Sequence, residues 1–376
     1  ACLVGSEMCI RDRSLDTLRG FDMLFIMGFA SWVVALNRCC PTEVGEWLAG
    51  QMSHTVWDGF TQHDLIFPLF LFIAGISFPF SLAKQRSRGV PDRRIGLRVL
   101  RRGVTLVVLG MVYNGLLQFD FADLRVASVL GRIGVAWMVG AWIYMRLPKR
   151  LQYLFVALIL LGYWLLLAFV PAPDAPGASP FSPEGNLAGY IDRCLLPGRL
   201  NDGSFDPEGL LSPLPAIVTA LLGMYAGEMV RSARLGSGAR KSLWLAGTGA
   251  GLVAVGWVWN QWFPINKTLW SSSFTCFAGG LSFLLFALFY YVIDVRGRRS
   301  WTLFFRVIGL NSITIYLAQP MIGFSHLNRF LFGGLACWAG EYAGEPAGEL
   351  LLRTGYVVCC WVFLYFLYRK QIFLKV

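Results

Sequence analysis

Residues 64–83 read DLIFPLFLFIAGISFPFSLA, and the only charged side chain in this run is that of Asp64, at its first position. A helix needs roughly 20 mostly apolar residues to cross a hydrocarbon core about 30 Å thick, so the run predicts a membrane-spanning helix. Nine further segments have the same character: 20–38, 103–119, 127–147, 151–170, 213–230, 243–260, 273–293, 303–320 and 351–368. We therefore expect an all-α, polytopic integral membrane protein with about ten transmembrane helices.

The composition and the distribution of charge point to the same class of protein. Hydrophobic residues make up 56% of the 376 residues and charged residues only 15%, whereas about a quarter of a soluble domain is charged. The formal net charge is +11, but the basic residues gather in alternate connections, namely 84–102, 146–150, 231–241, 296–299 and the tail 369–375. Because cytoplasmic loops carry such an excess, we expect both termini in the cytoplasm, a multi-pass location in the cell (inner) membrane and no nucleic-acid partner.

We expect a single transmembrane domain over residues 14–376. Residues 1–13, ACLVGSEMCIRDR, resemble translated sequencing-adapter sequence, and the alternative is a short cytoplasmic tail. The longest connection, about 171–212, falls on the predicted outer side and is rich in Pro, Gly and Ser. Loops of this length are usually functional or disordered, and this one suits either a partial lid over an outward-facing pocket or a solvated connector.

The cysteines predict no metal site, because they lack the spacing of metal ligands and the chain has only three histidines. Four cysteines fall on the predicted outer side: Cys39, Cys40, Cys194 and Cys337. An extracytoplasmic disulfide among them is an open alternative.

A polar stretch, SHTVWDGFTQHD at 53–64, runs directly into the first quoted segment and contains two of the histidines. His54 is a candidate general base or acyl carrier, because an imidazole gains or loses a proton near neutral pH at little cost. Asp64, ten residues later, is a candidate to hold the ring in one tautomer. Trp57 and Asp58, which lie between them, are candidate substrate contacts.

Two arginines are candidates for binding a ligand that carries phosphates. Arg19 precedes the first apolar segment and Arg132 lies within the fourth, where a charge costs roughly 2.5 to 3.5 kcal/mol on insertion scales and has to be compensated. Guanidinium groups pair with phosphate through several donors, which suits the phosphates of a coenzyme. The alternative is an ion pair of Arg132 with Asp16 or Asp22 that fixes helix register.

A second polar cluster, PINKTLWSS at 264–272, falls on the predicted outer side. Asn266 and Lys267 are candidate contacts for a hydroxylated substrate, with Trp270 as a stacking face. Tryptophan and lysine are also ordinary anchors at the headgroup boundary, so that alternative stays open. Asn311 places an amide within the ninth segment, either to bind a ligand or to bond to a neighbouring helix.

Five blocks in order carry a resemblance to a known family: SLDTLRG at 14–20, the His54 block through FIAG at 72–75, GRIG at 131–134, NKTLWS at 266–271 and GLNS at 309–312. Together they resemble the heparan-α-glucosaminide N-acetyltransferase family, in particular a bacterial branch. The resemblance runs from Ser14 to the end of the chain. It implies a polytopic enzyme that carries an acetyl group from cytoplasmic acetyl-CoA to an amino sugar on the far side of the membrane.

The family's catalytic histidine falls on His54, and the acid at the head of the next helix falls on Asp64. His63 has no recognised counterpart, and it is either a local feature or a contact for the acceptor. In animal members an asparagine stands about where Ala30 and Ser31 stand here, so the resemblance does not fix the acceptor.

We therefore expect a transmembrane acetyltransferase that uses acetyl-CoA as co-substrate, needs no metal, and modifies an amine or hydroxyl of a sugar or glycan acceptor. The alternative from another class is a transporter or flippase of a small solute, with Asp22, Arg132 and Asn311 as a midplane site and His54 as a gate. A scaffold or sensory membrane domain is a third hypothesis. The oligomeric state is open, and a homodimer would be usual for such enzymes.

Overall fold

The computed structural model describes the backbone of residues 2–374 and the side chains of residues 13–374. Over this part of the chain the fold is all-α, with a single isolated antiparallel bridge between Arg125 and Gly198 and no strand. The helices are α1 (Cys2–Leu24), α2 (Ala30–Cys39), α3 (Glu43–Gly50), α4 (Gln62–Ser87), α5 (Asp92–Tyr113), α6 (Val129–Arg146), α7 (Lys149–Phe169), α8 (Leu187–Leu195), α9 (Pro213–Arg231), α10 (Gly238–Trp259), α11 (Ser272–Phe289), α12 (Thr302–Leu310), α13 (Ser312–Met321), α14 (Phe324–Ala343) and α15 (Glu345–Arg369). Residues 1–13, for which an adapter origin is predicted, lie outside the residues with described side chains except for Arg13.

Seven helical spans in the described part are long and apolar enough to cross a membrane: Arg13–Cys39, Gln62–Ser87, Lys149–Phe169, Pro213–Arg231, Gly238–Trp259, Ser272–Val295 and Glu345–Arg369. The predicted class, an all-α multi-pass membrane protein, is therefore confirmed. The count of about ten spans and the cytoplasmic termini stay predictions. Helix α14 lies outside all ten predicted segments, and the ninth segment is two helices, α12 and α13, that meet at Asn311.

Several helices begin where the sequence supplies a side-chain cap. The Oγ of Ser128 accepts the N–H of Gly131 at 3.0 Å at the start of α6, and Asn186 caps α8 by accepting the N–H of Gly189 at 2.6 Å. Each cap satisfies a backbone donor that the first turn of a helix cannot pair internally.

The structure divides into two compact units. The terminal unit comprises residues 2–55, 61–66 and 285–374, and the central unit comprises residues 56–60 and 67–284. Helices α4 and α11 are therefore each divided between the two units.

In the terminal unit, α1 packs against α12 with almost no space between the backbones. A Cβ added at Gly20 would lie 1.7 Å from the carbonyl oxygen of Phe305, and one added at Gly309 would lie 1.9 Å from that of Asp16. A π-helical turn, Phe25–Phe29, separates α1 from α2, and Gly28 within it has a φ of 126°, which only glycine adopts readily. The core of this unit is a cluster of buried apolar side chains: Met23, Leu24, Met27, Val307, Ile308, Ile315, Ala318, Phe324, Cys359, Cys360, Leu364 and Leu367.

In the central unit, α4 packs against α9 through glycines of both helices. A Cβ at Gly75 would lie 2.3 Å from the carbonyl oxygen of Ala220, and one at Gly223 would lie 2.0 Å from that of Phe72. Small residues at such crossings let membrane helices approach closely.

The connection between α7 and α9, which contains the predicted long loop 171–212, folds onto the central unit. Its helix α8 contributes Leu187 and Ala188 to an apolar cluster with Tyr163, Phe263 and Leu269. The carboxylate of Asp192 and the amide of Asn186 are each 1% exposed. The loop is therefore packed and polar groups within it are buried, while its predicted role as a lid stays a prediction.

Candidate active site

His54 and Asp64, the two predicted catalytic residues, lie in contact within the terminal unit. The Nδ1 of His54 is 2.8 Å from Oδ1 of Asp64. An ionised carboxylate can only accept, so this bond assigns the proton to Nδ1 and leaves Nε2 of the neutral ring with its lone pair. The side chain of His54 is 51% exposed whereas that of Asp64 is fully buried, so the imidazole is open to its surroundings while the carboxylate is shielded from water.

The local sequence explains why a carboxylate is stable at this buried position. Asp64 lies in the first turn of α4, where the helix dipole favours negative charge. Its second oxygen accepts hydrogen bonds from two threonines: the backbone N–H groups of Thr55 (3.4 Å) and Thr61 (3.1 Å), and their hydroxyls at 3.2 Å and 3.0 Å. Neither threonine was predicted to bind this carboxylate, although a threonine three residues before an acid at a helix start is a familiar capping pattern.

His63 also belongs to this site. Its ring centroid lies 4.4 Å from that of His54, with the two ring planes tilted by 55°. The imidazole of His54 is thus bounded by Asp64 through a hydrogen bond and by His63 through ring contact.

The predicted substrate contacts fall mainly in the central unit. That unit contains the substrate candidates Trp57, Asp58, Asn266, Lys267 and Trp270 and the coenzyme candidate Arg132. The terminal unit contains Arg19 and Asn311, together with His54 and Asp64. The structure thus brings together His54 with Asp64, Asp58 with Asn266, and Arg132 with Trp270.

Asp58 and Asn266 join two loops of the central unit. The Nδ2 of Asn266 donates to Oδ1 of Asp58 at 3.1 Å, and the backbone N–H of Gly59 donates to the carbonyl of Ile265 at 2.8 Å. Asn266 is fully buried, whereas Asp58 is exposed. Trp57 is half-buried, and its Nε1 donates to the carbonyl of Phe181 at 2.7 Å. Asp58 is therefore the most exposed of the three side chains Trp57, Asp58 and Asn266.

Arg132 and Trp270 form a buried stack. The guanidinium carbon lies 4.8 Å from the ring centroid of Trp270, which is fully buried, and 5.4 Å from that of Phe67. Arg132 donates from one terminal nitrogen to Oγ of Ser212 at 2.7 Å, while its Nε has no hydrogen-bond partner among the described residues. The alternative, an ion pair of Arg132 with Asp16 or Asp22 that fixes helix register, stays a prediction. The face of Trp270 is occupied by Arg132 in this structure.

In the terminal unit, the two remaining candidates differ in how their polar groups are used. Arg19 pairs with Asp16 at 3.2 Å, one helical turn away. Asn311 is 2% exposed at the junction of α12 and α13, and its Nδ2 has no hydrogen-bond partner in the described part of the chain. A buried donor without a partner is uncommon in folded proteins. The last candidate, Lys267, lies in the central unit and is half-buried.

Among the side chains described, those of residues 13–374, no group of three or more His, Cys, Asp or Glu is arranged to hold a metal ion. The seven cysteines with described side chains are all free thiols, among them Cys39, Cys40, Cys194 and Cys337. The open alternative of an outer disulfide is therefore absent from this structure over the residues with described side chains.

The sequence model for the catalytic region of heparan-alpha-glucosaminide N-acetyltransferase matches residues 11–256, about two thirds of the chain. The chain belongs to this family. The matched region contains His54, Asp64, Arg19 and Arg132, whereas Asn266, Trp270 and Asn311 lie beyond it.

Two relatives extend the similarity over nearly the whole chain. Heparan-alpha-glucosaminide N-acetyltransferase from Homo sapiens is 29% identical over 423 aligned positions, and that from Mus musculus is 28% identical over 425. Each alignment covers 97% of this chain but 60% of the relative. The chain thus spans about three fifths of the length of the curated relatives it matches.

Proposed function

We propose that this protein is a transmembrane acetyltransferase that moves an acetyl group from cytoplasmic acetyl-CoA to an amine or hydroxyl of a sugar-like acceptor on the extracytoplasmic side of the cell membrane. The observation that carries the proposal is the contact of half-exposed His54 with fully buried Asp64 in a chain of an acetyltransferase family. This arrangement gives one basic nitrogen, Nε2, that faces away from the carboxylate.

In the proposed reaction the acceptor's nitrogen or oxygen attacks the carbonyl carbon of the acetyl thioester. Nε2 of His54 takes the proton that the acceptor loses, and Asp64 stabilises the imidazolium that forms. A C–N or C–O bond forms, the C–S bond breaks, and the departing thiolate of coenzyme A takes the proton back from His54. Transfer through an acetylated His54 is the second route that the same geometry allows.

The remaining candidates are proposed as contacts for the two substrates. Asp58 carries an exposed carboxylate that would attract a protonated amine, and Asn311 has a free amide donor for an oxygen atom. Trp57, Asn266, Lys267 and Trp270 are proposed to shape the acceptor region. Arg19 and Arg132 are proposed contacts for the phosphates of acetyl-CoA, and Arg132 has its Nε available for such a bond.

The test is transfer of radiolabelled acetyl groups by the purified protein in detergent, with and without glucosamine-type acceptors. We expect label on the acceptor with wild-type protein and at least about a hundredfold less with His54→Ala, because general-base catalysis contributes on that order. Label that appears on the protein when acceptor is omitted, and is lost in His54→Ala, would identify the acetyl-histidine route. Near-normal transfer by His54→Ala would contradict the proposed role of His54, and solute movement without turnover of acetyl-CoA would favour the transporter.

A further inference from the structure

The central unit contains a polar cleft of about 390 Å³ that shares no residue with the His54–Asp64 pair. Its walls come from the segment after α5 and from the long loop before α9, and they include Gln118, Asp120, Asp123, Arg125, Arg199 and Asn201. Its volume lies within the range of small-ligand sites, roughly 300 to 1,000 Å³. None of the roles assigned above uses it.

The cleft is held in shape by bonds between its two walls. The backbone N–H of Arg199 donates to the carbonyl of Leu124 at 3.3 Å, next to the bridge between Arg125 and Gly198. The guanidinium of Arg125 binds Asp206 through two bonds of 2.7 and 2.6 Å and also binds Glu208. A ligand would therefore meet a preformed surface and would not have to order two loops on binding.

The charge of the cleft favours a cation. Arg125 is already neutralised by two carboxylates, and Arg199 lies 3.6 Å from Asp123. The carboxylate of Asp120 is exposed and is in no ion pair, and its one hydrogen bond in the described structure is from the N–H of Asp123 at 3.3 Å. With Asp206 and Glu208, which bind Arg125, four carboxylates thus stand against two guanidinium groups at this cleft, and an excess of negative charge attracts a positively charged group.

The neighbours of Asp120 add groups suited to a hydroxylated ring. The amides of Gln118 and Asn201 both line the cleft and can each donate and accept a hydrogen bond. Phe119 and Phe121 flank Asp120 in the chain and are 72% and 62% exposed. Phe119 has a φ of 57°, an uncommon left-handed conformation for a bulky residue. An exposed aromatic ring beside a carboxylate can pack on the apolar face of a sugar or on an ammonium group.

From these features we propose that the cleft is a second ligand site, which binds a polyhydroxylated ligand with a protonated amine, such as an amino-sugar unit of a glycan. Asp120 binds the ammonium group, Gln118 and Asn201 bind hydroxyls, and Phe119 packs against the ring. The site binds without reacting, so it does not depend on the proposed acetyl transfer.

The test is isothermal titration of the full chain in detergent with a glucosamine tetrasaccharide and with its fully N-acetylated, uncharged counterpart. We expect the charged tetrasaccharide to bind and the uncharged one to bind about tenfold more weakly or not at all, since a charge-assisted bond is lost. Asp120→Asn keeps the oxygen that accepts the N–H of Asp123, so it should fold normally and weaken binding about tenfold. The matched control is Glu184→Gln, which removes an exposed carboxylate of the long loop outside the cleft.

A third variant separates this site from catalysis. His54→Ala should bind the charged tetrasaccharide like wild type even where it transfers no acetyl group, so a failure of the proposed transfer leaves this result intact. Two results would overturn the site: no binding by wild-type protein, or equal binding by Asp120→Asn and wild type. Unchanged sugar binding by Phe119→Ala, together with weaker association with phosphatidylcholine vesicles, would also overturn it and make the aromatic pair a membrane-interface contact.

Discussion

At the scale of single residues, the proposed chemistry depends on the tautomer that Asp64 imposes on His54. Asp64→Asn replaces an acceptor with a group that can donate, so the proton of Nδ1 would no longer be required and the basic lone pair would no longer be confined to Nε2. We expect the transfer rate to fall about 10²- to 10⁴-fold. Steady-state kinetics of acetyl transfer measures it, and Glu46→Gln, which changes an exposed carboxylate of α3 outside the proposed site, is the control. An Asp64→Asn rate within twofold of wild type would contradict this role.

The ring contact between His63 and His54 predicts a positioning role for His63. The ring of His63 lies against that of His54, so removing it should let the imidazole rotate away from its productive orientation. We expect His63→Ala to lower kcat by about tenfold with little change in KM, and His63→Phe to restore most of the loss because it keeps an aromatic ring. Equal kcat in His63→Ala and wild type would refute the role. Equal losses in both variants would show that the imidazole itself is needed.

Because the carboxyl of Asp192 is buried in the loop 171–212, we expect the stability of the protein to depend on pH. Burial raises the pKa of its carboxyl to about 6, although the N–H of Leu210, which donates to it at 2.8 Å, acts in the opposite direction. Because the folded state holds this proton more tightly than the unfolded state, stability is highest below about pH 4 for this group and is lost as the pH rises through about 6. Two pKa units correspond to at most about 3 kcal/mol.

The measurement for Asp192 is thermal unfolding in detergent at several pH values from about 4 to 7. Asp192→Asn should remove part of the fall in Tm over this interval, on the order of 5 °C. Asp202→Asn should leave the profile unchanged, since its carboxyl is exposed. Superimposable profiles for wild type and Asp192→Asn would show that other groups set the dependence.

At the scale of helices, the crossing of α4 and α9 requires glycine at position 223. A Cβ there would lie 2.0 Å from the carbonyl oxygen of Phe72, and this is backbone that cannot rotate away. We expect Gly223→Ala to destabilise the protein by roughly 2 kcal/mol or more through overpacking. Gly247→Ala in α10 is the matched control, because nothing lies within 4 Å of its added Cβ. Thermal unfolding should show a lower Tm for the first variant alone, and equal Tm values would contradict the tight crossing.

The elements show what hydropathy can and cannot predict. The long apolar runs such as 64–83 are helices because a membrane-spanning chain has to satisfy its backbone internally. Helix α14 escaped prediction because the polar side chains of Ser325, His326, Asn328, Arg329 and Glu341 lower its apolar character, while its buried positions pack against α15. The π-helical turn at Gly28 could not be predicted either, because the surrounding structure sets a positive φ and the presence of a glycine alone does not predict one.

The contacts in and around the candidate site also include some that the sequence predicts and some that it does not. His54 and Asp64 were predictable because both lie in one short polar stretch, so a loop and a helix start bring them together. The hydrogen bond from Ser14 to Asp294, 2.6 Å long across 280 residues of sequence, has no local signal. Contacts of this separation assemble the terminal unit, and the division into two units could therefore not be predicted from one sequence.

At the scale of the whole molecule, the proposal requires the long loop 171–212 and the His54 stretch to face outward. Cys194 in α8 is an exposed free thiol on that loop, and Arg234 is exposed in the basic connection predicted to be cytoplasmic. A membrane-impermeant maleimide applied to intact cells should modify Cys194, located by mass spectrometry, but should modify an Arg234→Cys variant at position 234 only after the membrane is opened. The reverse pattern would place the loop and His54 in the cytoplasm. Transfer would then occur on the side of the donor, and the proposed passage of an acetyl group across the membrane would be wrong even if His54 is the base.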